Sequence, residues 1–280
     1  MVKYLLLLLM PALMHAQSLP EKLTASLNTL PSSVTVSLAV QSLADQTSFY
    51  HQADDRSPSA SIIKLPVMVE AMEQVKAGTF ALTEKHLLTE AEKAGGSGVL
   101  QTYAAGSPVT NLELVTLMIT HSDNTATNIL IHKLGKDAIN RRIKALGLPQ
   151  TQLNRIMMDT AAVRRGIENY VTAREMNTLL TAIYRQTIAT PALCTQMLGI
   201  LKQNTDTLTI PRLIPETGSA GPVAIAHKTG TLTYVRGDAG IVYARRPFVM
   251  SVLVRGTTTE KAEQIIGDLA LHCFTYFDQP

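Results

Sequence analysis

Tryptophan is absent, phenylalanine occurs five times and tyrosine eight times, so the 280-residue chain offers no aromatic platform for stacking single-stranded bases. Excess charge is also scarce. Twenty-five lysines and arginines against 22 carboxylates leave a net charge of +3, too small to argue for a nucleic-acid binder. The seven histidines show neither an HExxH motif nor paired ligand spacing, so neither a metal nor another cofactor is expected. Two cysteines, Cys194 and Cys273, are too few for a disulfide scaffold. Their apolar helical contexts read as buried thiols, with pairing after export as the alternative. There is no internal repeat and no low-complexity tract. What is present is a folded-protein composition, 46% hydrophobic and 17% charged, long enough for one domain or two intimately packed lobes.

The N-terminus carries the one pronounced apolar run. Met1-Val2-Lys3 precedes Tyr4–Met10, and Pro11-Ala12-Leu13-Met14-His15-Ala16 ends on a small residue. A basic start, a short apolar stretch and a small residue form a secretory signal over 1–16, leaving a mature chain of 17–280 in the periplasm or the medium. The run is shorter than the roughly 20 residues a permanent span needs. No cysteine follows it, so no lipid anchor is expected either.

Along the mature chain, Pro20–Leu27 reads as a helix, and the alternation of Ser33–Leu43 reads as a strand with Thr47–Gln52 as its hairpin partner. A helix starts near Ser61 and runs to a Gly78 stop, with Pro66 distorting its first turn. Asn111–Thr120, Thr127–Leu134 and Asp137–Leu146 are further helices, the last with Asp137 as its cap. Leu153–Tyr170 is irregular; Thr172–Tyr184 and Thr190–Lys202 are helical again. Val223–Ala226, Gly240–Ala244 and Phe248–Gly256 read as three adjacent antiparallel strands, and Thr258–Phe277 as a final helix. The plan is α+β: an antiparallel sheet lobe from both chain ends, about 17–58 and 210–280, with flanking helices, and an inserted all-helical lobe over about 59–209.

Three short motifs fall in order on this plan. Ser61-Ile62-Ile63-Lys64 puts a serine and a lysine on one face of a helix start. On the order of one Ser-x-x-Lys is expected by chance in such a chain, so alone it is a solvated helix start. Ser122-Asp123-Asn124 lies between two helices and also reads as a turn with a cap at Asp123 or Asn124. Lys228-Thr229-Gly230 follows the first of the late strands. The motifs start 61 and 106 residues apart, and their ordered coincidence is roughly a one-in-hundreds event.

Ser-x-x-Lys, Ser-Asp-Asn and Lys-Thr-Gly together resemble the motif set of class A β-lactamases and related penicillin-binding proteins. Ile119–Leu130, Leu65-Pro66-Val67 and Gly98-Val99-Leu100 extend that resemblance over nearly the whole mature length. It implies a serine hydrolase that forms an acyl-enzyme and works as a monomer on a small β-lactam or a D-Ala-D-Ala peptide. Ser61 would attack the carbonyl. Lys64, if crowded by Lys228, would take the Ser61 proton. Ser122 would pass a proton to the leaving nitrogen, and Asn124 would hold Lys64. Lys228, Thr229, Gly230 and Thr231 would bind the substrate carboxylate side, and the N–H groups of Ser61 and Thr231 would form the oxyanion hole.

Two departures bear on turnover. The family carries a glutamate two residues after an arginine in an irregular loop, where it activates the deacylating water. Here Arg155 is followed at that distance by Met157, which cannot accept a proton. Asp159 and Glu168 are substitute bases within reach in sequence, or else surface acids of the loop. The family also often places an arginine beside the third motif, and Arg236 is the candidate for that role. The readings are therefore a β-lactamase with slow hydrolysis, a D-alanyl-D-alanine peptidase or transpeptidase, and a non-turnover β-lactam sensor.

Overall fold

The computed structural model describes residues 18–279; the expected leader, residues 1–16, lies outside them. Five strands form one antiparallel sheet: β1 (Thr35–Ser42), β2 (Ser48–His51), β3 (Ile225–Leu232), β4 (Val235–Val242) and β5 (Phe248–Arg255), in the order β2-β1-β5-β4-β3. The N-terminal hairpin is thus joined to the C-terminal meander through β1 and β5, with Leu38 opposite Val252 and Val40 opposite Met250.

Side chains alternate between two cores because successive strand residues point to opposite faces. Leu38, Val40, Met250 and Val252 pack on one face, under helices α1 (Leu19–Asn28) and α9 (Thr259–Phe277). Ala39, Ile241, Val249 and Leu253 enter the other core, which they share with the helical lobe. Covered on both faces, β4 is buried along its whole length, Arg236 and Asp238 included, and β5 is buried up to Leu253 and Val254 at its far end.

The helical lobe holds α2 (Lys64–Lys76), α3 (Asn111–Thr120), α4 (Asn124–Leu134), α5 (Lys136–Ala145), α6 (Thr160–Arg164), α7 (Ala173–Tyr184) and α8 (Pro191–Leu201). A 3-10 turn over Ala60–Ile63 precedes α2 and is the distorted first turn that Pro66 foretold. No described helix is long and apolar enough to cross a membrane. Cys194 and Cys273 are both buried and free, one in each core, so the disulfide alternative is excluded.

Local expectations needed correction in three places. Asp137 does not cap α5: Gly135, at φ +86°, ends α4 and starts α5 at a single residue, which leaves Asp137 inside the first turn. Residues 153–170 are not wholly irregular, since α6 lies within them. The third motif lies inside β3, because strand pairing continues beyond the apolar residues that mark its start.

Candidate active site

Ser61 sits in the 3-10 turn, one residue after Ala60 at φ +47°. Ser57 and Pro58 pair with Val171 and Tyr170, and Ser59 N–H donates to Asn169 O at 2.8 Å. The Ser61 turn is thereby anchored to the end of the 153–170 loop. From the other side, edge strand β3 closes in. A Cβ on Gly230 would lie 3.0 Å from both Ala60 Cβ and Ile62 Cγ1, so the glycine of the third motif lets the strand approach the Ser61 turn.

Lys64, the first residue of α2, is fully buried. Its ammonium donates to Ser122 O at 2.6 Å, to Ser122 Oγ at 3.1 Å and to Asn124 Oδ1 at 2.9 Å. Lys228, also fully buried, donates to Thr229 O at 2.7 Å and reaches Ser122 Oγ at 3.2 Å. The Ser122 hydroxyl therefore lies between two lysines, on a residue held at φ +51°, a strained conformation outside glycine. Asp123 caps α4 through Ala126 N–H (2.8 Å), and its other oxygen accepts from Val99 and Leu100 N–H (2.6 and 2.8 Å). The cap expected from sequence is thus also the anchor of the 95–100 connection.

Burial, then the Lys228 charge, holds the Lys64 amine well below the ordinary lysine range, with Asp123 opposing. Burial brings Lys228 down to about 8, opposed by Asp238 and Asp206 and assisted by Arg236. A charged Lys64 uses all three N–H donors on Ser122 and Asn124 and has no lone pair. Losing one proton would leave a lone pair on Lys64 that can accept a proton.

The cleft at Ser61 measures about 230 Å³ and is lined by Asn124, Met157, Met158, Thr231 and Leu232 among others. A larger apolar groove of about 390 Å³ between α1 and α9 contains none of the motif residues. Met157 is placed by a residue to which sequence reasoning gave no role. Asn128, one turn after Asn124 on α4, accepts from Met157 N–H at 2.8 Å and donates to Met157 O at 3.1 Å. Its i,i+4 spacing from Asn124 was the available signal.

The other loop candidates point elsewhere. Asp159 caps α6 through Ala162 N–H at 2.8 Å. Glu168 is no surface acid: it is buried against Arg155, at 2.7 Å from Nη2 and 2.9 Å from Nε. Asn169 secures the same loop, accepting from Asn154 and Arg155 N–H at 2.7 and 2.9 Å. Neither Asp159 nor Glu168 lines the cleft. Arg236 pairs with Thr231 across the β3–β4 ladder and donates to Thr231 Oγ1 at 2.8 Å. Its charge is already matched by Asp206 at 2.8 Å and Glu263 at 3.0 Å. Behind β3, His227 Nδ1 lies 2.9 Å from the fully buried Asp238 carboxylate. Burial pushes that carboxyl up, but His227, Thr209 and the Ile210 N–H outweigh it and leave it below the usual range. Among the described residues no group of three or more His, Cys, Asp or Glu side chains could hold a metal ion.

The sequence profile of the Beta-lactamase enzyme family matches residues 19–277. The chain belongs to that family. It is 30% identical over 122 residues to a β-lactamase of Rhodobacter capsulatus, a match that spans 43% of this chain and 41% of that protein. Among solved structures, a β-lactamase from Sphaerobacter thermophilus superposes with a TM-score of 0.85 at 32% identity, covering 90% of this chain and 95% of that one. PBP-A superposes with a TM-score of 0.83 at 27% identity, covering 92% and 95%. A mutant of PBP-A is known as its acyl-enzyme complex with penicillin G. The fold is thus that shared by the Sphaerobacter β-lactamase and PBP-A, α+β with a five-stranded antiparallel sheet.

Proposed function

We propose that this protein is an exported active-site serine hydrolase of the class A β-lactamase type that acylates Ser61 with β-lactams and clears the adduct slowly. The reading rests on one juxtaposition: two buried lysines meeting at the Ser122 hydroxyl beside the Ser61 cleft. Export is proposed from the 1–16 pattern alone.

In the acylation step, neutral Lys64 takes the Ser61 proton as Oγ attacks the lactam carbonyl. The carbonyl oxygen becomes an oxyanion, which the N–H groups of Ser61 and Thr231 would receive. The ring C–N bond then breaks, and Ser122 gives its proton to the nitrogen while being reprotonated from the lysine side. Lys228 supplies positive charge for the substrate carboxylate, and Thr231, held by Arg236, hydrogen-bonds it. Deacylation needs a base for water, and the cleft presents the Met157 thioether instead.

A second reading, a D-alanyl-D-alanine peptidase or transpeptidase, is favoured by that missing base and by the likeness to PBP-A. Intact-protein mass spectrometry with a penicillin tests both. One acyl group per chain, absent in Ser61→Ala, supports the nucleophile; labelling of Ser61→Ala would refute it. An adduct that is lost slowly with release of the hydrolysed penicillin supports the slow hydrolase, and one that persists without releasing that product favours the peptidase.

A further inference from the structure

Between residues 18 and 279 the chain has eight methionines, and seven are at most 7% exposed. The exception is Met158, at 51%, and it lines the cleft that holds Ser61. It sits at φ +62°, on a turn closed by Thr160 N–H donating to Met158 O at 2.8 Å. Its sulfur packs against the glycine connection opposite, where a Cβ on Gly96 would lie 3.2 Å from Met158 Sδ and 2.9 Å from Asn124 Nδ2. Asn124 holds that connection through Gly95 O at 2.9 Å and Ser97 O at 3.0 Å, and it also accepts from Lys64. The thioether is therefore both the accessible one and the one in contact with the segment that positions the catalytic amide.

We propose that Met158 is the site at which peroxide modifies this protein, and that its sulfoxide slows entry to Ser61; this second half rests on the acylation reading above. In the reaction with hydrogen peroxide the sulfur lone pair attacks one peroxide oxygen, and the O–O bond breaks. The sulfur is oxidised by two electrons and keeps that oxygen, while the other oxygen is reduced and leaves as water. The product is a polar, bulkier sulfoxide that methionine sulfoxide reductases reverse. Seated on Gly96, it must either displace the 95–98 connection or swing across the cleft, and both disturb the approach to Ser61. The thiols do not compete, because Cys194 and Cys273 are buried and burial raises both, leaving little thiolate.

The test treats the full chain with dilute hydrogen peroxide and removes the oxidant. Peptides are then mapped, and the rate of benzylpenicillin adduct formation is measured. Oxygen should appear on Met158 before any other methionine between residues 18 and 279. The adduct should form about tenfold more slowly, a barrier change of the size a single side-chain rearrangement produces. Methionine sulfoxide reductase should restore the rate, and Met158→Leu should keep its own rate after peroxide. A different methionine oxidised first, or a fully oxidised Met158 with an unaltered rate, overturns the proposal. A protein that takes no adduct even before treatment overturns the Ser61 reading and the functional half with it, while the peptide map separately decides where the oxygen lands.

Discussion

Two walls face each other across Ser61. On the first, Lys64, Ser122, Asn124 and Lys228 form a continuous hydrogen-bonded chain built around two fully buried lysines. On the second, the 153–170 loop is held as firmly, by Asn128, by Asn169 and by the Arg155–Glu168 pair. Yet Asp159 and Glu168 face their own partners, and what the loop turns to the cleft is Arg155, already paired with Glu168, and the Met157 and Met158 thioethers. Rigidity is common to both walls. Only the first brings its ionisable groups together at a hydroxyl beside the cleft, so a well-ordered loop is no evidence of a working deacylation step.

The sharpest way to break this contrast is to remove the first wall's base. Lys64→Ala should slow adduct formation by ~10²–10⁴-fold, the usual loss for a general base. A near-normal rate would move that role to another group. Next, the second wall can be given a base. Met157→Glu should shorten the adduct's lifetime by about 10²-fold, with adduct appearance changing far less. A wild type that clears its adduct within seconds would show that some other group already activates water.

Glu168→Gln separates structure from chemistry on that wall. It leaves the Arg155 guanidinium buried without its counter-charge, a loss of about 3 kcal/mol by comparison with other broken buried pairs, readable in denaturant unfolding. The adduct's lifetime should stay within about threefold of wild type, because Glu168 is paired with Arg155 and does not line the Ser61 cleft; the loss expected on removing a true base is ~10²-fold or more.

The smallest effect is a pH limb of the first wall. Burial sets Lys228 at about 8, so its charge is present below that pH and lost above it. Capture of a carboxylate-bearing β-lactam should therefore weaken roughly fivefold between pH 8 and pH 9, as the protonated fraction falls. An ester analogue without the carboxylate should not follow that limb. The sign for stability is opposite. The unfolded chain, with an ordinary lysine, binds more protons between about 8 and 10.5, so this group's burial penalty shrinks as pH rises through that window.

Local pattern determined much of this protein. Strand alternation, helix starts and stops, the Asp123 cap and the turn distorted by Pro66 depend on residues a few positions apart, and the sequence displays them directly. The three motifs were legible for the same reason, and so was the methionine two residues after Arg155. Tertiary structure decided what depends on partners far along the chain or on exclusion of water. Glu168 reads as a loop acid until it is seen buried against Arg155. Arg236 reads as a free carboxylate binder until Asp206 and Glu263, about 30 residues away on either side, match its charge and turn it to Thr231. The lowered proton affinity of Lys64 has no local signature at all. It exists because folding brings Lys228 beside a fully buried amine, and the cost of keeping a charge from water is set by the whole surrounding protein.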